Sequence, residues 1–379
     1  MNFDLTEDQR AIFEAAAAFA RAEMAPHSAR WDEEKHFPVD VLKAAAGLGF
    51  AGIYVGEDVG GSALKRLDAV LIFEALSGGD VSTAAFLSIH NMAAWMIDRF
   101  GAPALREKYL PRLTTMELIA SYCLTEPGAG SDAASLRTTA RREGESYVLN
   151  GAKAFISGAG VSDVYVVMAR SGGDGAAGVS AFVVEKGTPG LSFGAQEHKM
   201  GWASQPTAMV HFDNVRIPET SRVGEEGQGF RIAMAGLDGG RLNIAACSLG
   251  GAGLALETAK SYAESRRQFG RPLRDFQALQ FKLADMATDL EAARLMVRRA
   301  AAALDAGDPA ATGLCAMAKR FATDAGFEIA NQALQIHGGY GYLKDYPLER
   351  IVRDLRVHQI LEGTNEIMRV IIAREMFKP

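Results

Sequence analysis

The chain has 379 residues, with 46 acidic against 40 basic side chains and a formal net charge of −6, so it offers no basic field for nucleic acid. Its three cysteines share no CxxC spacing, and its seven histidines include no HExxH and no pair at helical spacing. A disulfide framework and a protein-bound metal are therefore not expected, and no apolar run approaches the roughly 20 residues that span a bilayer.

From the N-terminus, Thr6-Glu7-Asp8-Gln9 predicts a capping box that opens an Ala-rich helix. The leading residues, Met1-Asn2-Phe3 onward, lack both the basic-apolar layout of a secretion signal and the Arg/Ser-rich look of a transit peptide. A cytoplasmic, bacterial style of protein is expected; a processed mitochondrial matrix protein would read the same way. Apolar positions at three- and four-residue steps predict helices over 7–24, 39–47, 65–77, 82–100 and 103–113. Pro26, Pro38, Pro103 and Pro111 are placed at helix edges.

Between about 118 and 225 the texture changes to short β-branched and aromatic stretches: Tyr147–Leu149, Val164–Met168, Val179–Val184 and Met209–Phe212. Turns are expected at Asn150-Gly151 and Gly172-Gly173, giving an antiparallel β domain. Helical patterns return over Leu249–Tyr262, Phe276–Leu304, Pro309–Gln335 and Glu366–Phe377. The expected organisation is α+β, in three domains: helical 1–117, antiparallel β 118–226, and a helical bundle 227–379.

Three segments carry candidate chemistry. Near the C-terminus, Glu362 follows the apolar pair Ile360-Leu361 and enters Gly363-Thr364-Asn365-Glu366. Glycine permits a tight or left-handed backbone there, and Thr364 or Asn365 is a ready N-cap. A carboxylate on such a loop among apolar neighbours is a credible general base, its pKa raised by burial; the plain alternative is a solvated acid at a helix end. Gly128-Ala129-Gly130-Ser131-Asp132-Ala133 fits a loose GxGxxA pattern. It opens no helix within a βαβ unit, so an anion-binding loop of backbone N–H groups is the better reading. Gln335-Ile336-His337-Gly338-Gly339 carries two glycines that serve either close approach of a cofactor or a helix C-cap.

Taken in order, Tyr122 to Asp132, Gln335 to Tyr342 and the Glu-Gly-Thr-Asn-Glu loop resemble the acyl-CoA dehydrogenase family, flavoenzymes that desaturate acyl thioesters. The resemblance runs from Leu5 to Arg374 and implies the fold read above. It implies FAD bordered by Tyr122, Leu124, Thr125, Gly130 and Ser131, with Phe155-Ile156-Ser157 as a second flavin strand. Arg266, Phe269, Phe276 and Gln277 would join them, as would Thr364, Asn365 and Glu366. Gln335, Ile336, Gly338 and Gly339 would reach the flavin of a neighbouring subunit, in a homotetramer. Arg266 suits a pyrophosphate, although such a cation is equally at home on a solvated face.

For the acyl-CoA substrate the resemblance implies Ser131, Leu361 and Gly363, with Asp238 as N-cap of a long helix and Arg241 and Arg374 at the nucleotide end. Glu362 would take the α-proton while the β-hydride passes to flavin N5, and electrons would leave to an electron-transfer flavoprotein. His90 to Asp98, Ser204 to Thr207 and Gly338 to Tyr346 look most like the isobutyryl-CoA branch. Leu361 stands where many straight-chain members carry Tyr, leaving room for an α-methyl. The alternatives are a 2-methylbutyryl-CoA or short straight-chain dehydrogenase, an oxidase-type relative, and a flavin-free assembly or binding relative.

Overall fold

The computed structural model describes residues 4–378. The reading of Met1-Asn2-Phe3 lies outside them.

The chain opens as expected. Thr6 caps α1 (Glu7–Phe19) and exchanges hydrogen bonds with Gln9, after which a π-helical turn, Ala20–Met24, ends the first helix. Helices α2 (Ser28–Glu34) and α3 (Val39–Ala46) follow, then α4 (Arg66–Ser77), α5 (Val81–Phe100) and α6 (Pro103–Leu113). The periodicity locates these helices, except that α2 was not foreseen. Pro111 lies inside the last turn of α6 rather than at its edge.

The middle of the chain holds β1 (Ala120–Cys123), β2 (Thr139–Glu143), β3 (Ser146–Ser157) and β4 (Val164–Arg170). Then come β5 (Val179–Glu185), β6 (Leu191–Phe193), β7 (Thr207–Pro218) and β8 (Arg222–Val223). The sheet runs β6-β7-β3-β2-β4-β5-β8, with β1 alongside β4. Most pairs are antiparallel, but β1 runs parallel to β4, and β2 meets β4 in parallel at Thr139–Arg170. Asn150-Gly151 is not a turn. It sits inside β3, where pairing with β7 slips between Leu149 and Gly151, a bulge that bends the strand.

Alternate residues of β4 and β5 go to different cores. Val164, Val166 and Met168 pack with residues of α5 and α6, whereas Tyr165, Val167 and Phe182 pack with Tyr147, Leu149 and Val215 of β3 and β7. The two-residue period of the strand serves two layers at once.

Helix α7 (Gly229–Ser265) is 37 residues long, about 55 Å at 1.5 Å per residue. Residues 239–252 of α7 are buried without interruption, as expected of a helix surrounded by others. After the short pair β9 (Arg267–Gln268) and β10 (Arg271–Pro272) come α8 (Gln277–Asp305), α9 (Ala311–His337), α10 (Leu348–Arg356) and α11 (Asn365–Met376). One core unites α4, α5, α7, α8, α9 and α10 through residues such as Phe73, Phe86, Leu242, Leu290, Ile329 and Leu355. Asp238 does not cap α7 as expected. It lies inside the helix, which starts nine residues earlier at Gly229, because packing overrides the helix-breaking look of Asp238-Gly239-Gly240.

Candidate functional site

Helix α10 runs through a 3-10 turn, Val357–Gln359, into the loop that carries Glu362. Thr364 then caps α11, its side chain accepting from the Ile367 N–H at 3.3 Å. Glu362 and Gly363 both have positive φ, 54° and 93°. For glutamate this is a sparsely populated conformation that costs about 1 kcal/mol or more and persists only where the surroundings impose it.

Those surroundings are two buried cations. Arg241 of α7 donates its Nε to the Glu362 carbonyl at 3.1 Å and pairs with Asp238 at 2.8 Å. Lys319 of α9 donates its Nζ to the Gly363 carbonyl at 2.8 Å and to Asn365 Oδ1 at 2.9 Å. Arg241 was expected at the nucleotide end of the substrate. In the structure its Nε and Nη1 lie beneath the loop, with Asp238 as counter-ion.

The Glu362 carboxyl rests on Gly240 of α7. A Cβ at that glycine would lie 2.5 Å from Glu362 Oε2, so the helix must offer a bare backbone there. Although the Glu362 residue keeps partial exposure, Oε2 is buried and has no hydrogen-bond partner among the described residues. Burial pushes its carboxyl up to about 7, against the opposing pull of Arg241 and Lys319. Tyr122, on β1, also has a buried hydroxyl without a partner. Its pKa is raised well above the ordinary value, first by burial and then by the Glu362 charge, which places strand β1 within electrostatic reach of the loop. No backbone carbonyl accepts the Glu362 N–H among the described residues. Among the described residues, an acid and an uncommitted backbone donor thus share one residue, with the Tyr122 hydroxyl within its electrostatic reach.

Beside Gly240, Gly239 accommodates the Arg66 guanidinium, which would approach a Cβ there to 2.2 Å. Arg66 stacks over the Tyr54 ring at 3.7 Å and faces Trp95 at 4.9 Å, while Tyr54 donates to Asn243 at 2.7 Å. Leu361 is half-buried against the main core.

The loop after β1 is held from behind. Lys153, fully buried on β3, donates to Glu126 Oε1 at 2.7 Å and to the Leu124 carbonyl at 2.9 Å. Glu126 also accepts from the Arg137 and Thr138 N–H groups. Burial alone would raise the Glu126 carboxyl; Lys153 and these donors reverse that and hold it below its ordinary value. The Ala154 N–H donates to Thr125 O at 2.8 Å, bringing Thr125 beside Phe155. Gly128, Gly130 and Ser131 stay exposed, and a Cβ on either glycine would meet open space.

Phe155 has φ 58° and is 68% exposed, at a break in register between Lys153 and Ile156. A left-handed phenylalanine costs about 1–2 kcal/mol, and leaving its ring in water forfeits about 1.5–3 kcal/mol more. A strained, exposed aromatic beside an exposed glycine loop fits a flat, phosphorylated ring system such as a flavin nucleotide. Ser157 faces Gln205 at 3.4 Å.

Removing Lys153 would leave Glu126 as an uncompensated buried charge, a loss of about 3–5 kcal/mol. Lys153→Met is therefore expected to melt several degrees lower, and Lys153→Met with Glu126→Gln to recover part of the loss. Differential scanning calorimetry of the two variants checks this.

A second group lies where α7 ends and α9 meets its following turn. Arg266, Ile336, Gly338 and Gly339 line a cavity of about 430 Å³, together with Tyr262, His337 and Tyr340. Tyr262 stacks on His337 at 4.0 Å, and Arg266 lies over Tyr340 at 5.3 Å. Gly338 adopts φ 59°, ψ −135°, a region essentially closed to other residues. Phe269 is 94% exposed and meets Phe276 edge-on at 6.1 Å, next to Gln277 at the start of α8. No lining residue of this cavity belongs to the Glu362 loop or the β1–β3 rim. Gln335 and Glu366 are exposed, whereas Asn365 is buried with Lys319. Arg374 is exposed on α11 beside Glu375 at 3.6 Å, separate in environment from the buried Arg241.

The sequence reading missed Lys319, Lys153 and Arg66. The first two sit in apolar runs, Ala316-Met317-Ala318-Lys319 and Ala152-Lys153-Ala154-Phe155, a setting in which a lysine signals a buried partner.

Family models of the acyl-CoA dehydrogenase N-terminal, middle and C-terminal domains match residues 6–117, 121–215 and 227–377. The chain is 58% identical over 374 residues to mitochondrial isobutyryl-CoA dehydrogenase of Bos taurus, covering 99% of this chain and 90% of the relative. Among solved structures, butyryl-CoA dehydrogenase from Megasphaera elsdenii superposes with a TM-score of 0.97 at 38% identity, over 100% of both chains. A chain from a structure of the electron transferring flavoprotein of Acidaminococcus fermentans superposes with a TM-score of 0.97 at 42% identity, again over 100% of both chains.

Proposed function

The chain belongs to the acyl-CoA dehydrogenase family, a family of FAD-dependent oxidoreductases, and from that premise we propose that it desaturates short α-branched acyl-CoA thioesters, isobutyryl-CoA first. The observation that carries the chemistry is the buried, partnerless carboxyl oxygen of Glu362 lying on Gly240. A carboxylate in that position, with a pKa near 7, is poised to accept a proton at neutral pH.

A thioester α-proton is too weakly acidic for a carboxylate unless charge developing on the carbonyl oxygen is stabilised. The uncommitted Glu362 N–H supplies one donor for that oxygen. Glu362 takes the α-proton onto its carboxyl. Bound FAD would supply the two-electron acceptor for the β-hydride. Tyr122, Thr125, Phe155 and Ser157 would border its ring, and the exposed Gly128, Gly130 and Ser131 would hold its phosphates through backbone N–H and hydroxyl groups. In a homotetramer, Arg266, Ile336, Gly338 and Gly339 would face a neighbouring subunit's cofactor, a reading supported by two glycines on which a Cβ would meet open space. The electron acceptor is an electron-transfer flavoprotein, a reading supported by the likeness to the Acidaminococcus fermentans chain.

The substrate preference rests on the 58% identity to isobutyryl-CoA dehydrogenase and on Leu361, which adjoins the base. One methyl group in an apolar pocket is worth about 1–3 kcal/mol, or roughly 10- to 200-fold, so the preference is graded. Values of kcat/KM are expected to rank isobutyryl-CoA first and 2-methylbutyryl-CoA second, with octanoyl-CoA poor. Isovaleryl- or octanoyl-CoA in first place would overturn this assignment while leaving the desaturation chemistry intact.

A further inference from the structure

Lys319 is fully buried in α9, yet its ammonium meets no carboxylate directly. Its acceptors are the Gly363 carbonyl and the Asn365 side-chain oxygen. Asn365 in turn donates to Thr323 at 2.9 Å and to Asp324 at 2.7 Å, which fixes the amide so that its oxygen faces the lysine. A methionine or leucine would fill the same volume without the desolvation of a charge. What such a side chain could not do is grip the backbone of the strained turn or place a positive charge behind it.

We propose that Lys319 is a positioning residue for the base: it holds the Glu362-Gly363 turn by its second carbonyl and supplies part of the field that keeps the Glu362 carboxyl ionised. The inference rests on the reading of Glu362 as base. Arg241 holds the first carbonyl of the same turn, but Asp238 already neutralises it at 2.8 Å. Lys319 has no such close counter-ion, so its charge is the less compensated of the two. The other ionisable groups around the carboxyl are Tyr122 on β1 and Cys247 on α7, both coupled to the Glu362 charge and both raised by burial. Burial lowers the Lys319 ammonium to about 8; the Glu362 charge, and after it Asp324 and Glu366, oppose this, while the Arg241 charge adds to it. Neither Asp324 nor Glu366 is among the groups that shift Glu362.

The sign follows. A cation near a carboxylate lowers its pKa, so removing the Lys319 charge raises that of Glu362 and moves the acid limb of the rate profile to higher pH. A residue that only packed would lower the rate at every pH alike.

The test is anaerobic stopped-flow reduction of FAD-loaded Lys319→Gln, Lys319→Met and Lys319→Arg over roughly pH 5.5 to 9. The substrate is whichever acyl-CoA is fastest with the unsubstituted protein. Both neutral variants are expected to move the acid limb up by at least about one unit, a tenfold loss on the acidic side. Glutamine can still reach the Gly363 carbonyl and so separates charge from grip. Arginine is expected to return the limb to its original position. A Gln variant with an unmoved limb overturns the proposal. So does loss of fold or flavin in both neutral variants, which would make Lys319 a core residue. Glu362→Gln is run alongside: if it reduces flavin rapidly, the base itself is misassigned, and if it is slow while the limbs stay put, only the Lys319 inference fails.

Discussion

Glu362→Gln is expected to slow substrate-dependent flavin reduction by at least about a thousandfold while FAD stays bound. Glutamine preserves the shape that rests on Gly240 and leaves the backbone N–H in place, so binding and carbonyl polarisation persist while the proton acceptor is lost. Stability provides an independent check. The carboxyl pKa is raised on folding from the usual 4.5 to about 7, so the folded state binds that proton more tightly. Stability contributed by the protonated form is present below about 4.5 and is lost as pH rises through 7. Glu362→Gln has nothing to ionise and should therefore melt higher than the parent at pH 8 and no higher at pH 5. Equal rates in parent and variant would assign the proton to another group.

Gly240→Ala is the second large effect. Alanine is the better helix former by about 1 kcal/mol, and a surface position would gain stability from the change. Here the new methyl would sit 2.5 Å from Glu362 Oε2, and the nearest atoms belong to the one side chain whose placement matters. The carboxyl must swing away, and a displacement of about 1 Å costs on the order of a hundredfold in rate. Glu362 is also the group through which the methyl acts. Gly240→Ala combined with Glu362→Gln should then be scarcely slower than Glu362→Gln alone, a non-additivity expected of residues in contact. Stopped-flow rates for the two single variants and the double variant decide it. Full additivity would mean that Gly240 acts by another route.

Much of the fold was legible because its local signals agree. Thr6 and Gln9 form the capping box their spacing suggests, and the helices up to residue 113, α2 apart, follow the apolar period. The Glu362 loop was readable as a glycine-borne turn with an N-cap after it, and Thr364 takes that role. Other features depend on tertiary context. Asn150-Gly151 has the composition of a hairpin turn but lies in a twelve-residue strand, where only the pairing with β7 reveals the bulge. Asp238-Gly239-Gly240 reads as a helix start, yet Gly240 and Gly239 are where Glu362 and Arg66 press onto α7. Helix α10 escaped notice because Glu349, Arg350, Arg353 and Asp354 make it look solvated. Arg353 in fact pairs with Asp32 of α2 at 2.6 Å, and Asp354 accepts from the Trp202 N–H at 2.6 Å. Lys319 was missed in a similar way: a lysine in a helix reads as surface, and only the apolar run Ala316-Met317-Ala318 before it hints at burial.

The central claim is that the FAD-loaded protein removes two hydrogens from a short α-branched acyl-CoA. Anaerobic mixing of the yellow holoprotein with isobutyryl-CoA tests it most directly. The account predicts complete bleaching of the flavin band at about one substrate per flavin, with the α,β-unsaturated thioester recovered from the quenched mixture. A flavin that remains oxidised with isobutyryl-, 2-methylbutyryl- and butyryl-CoA alike would contradict it.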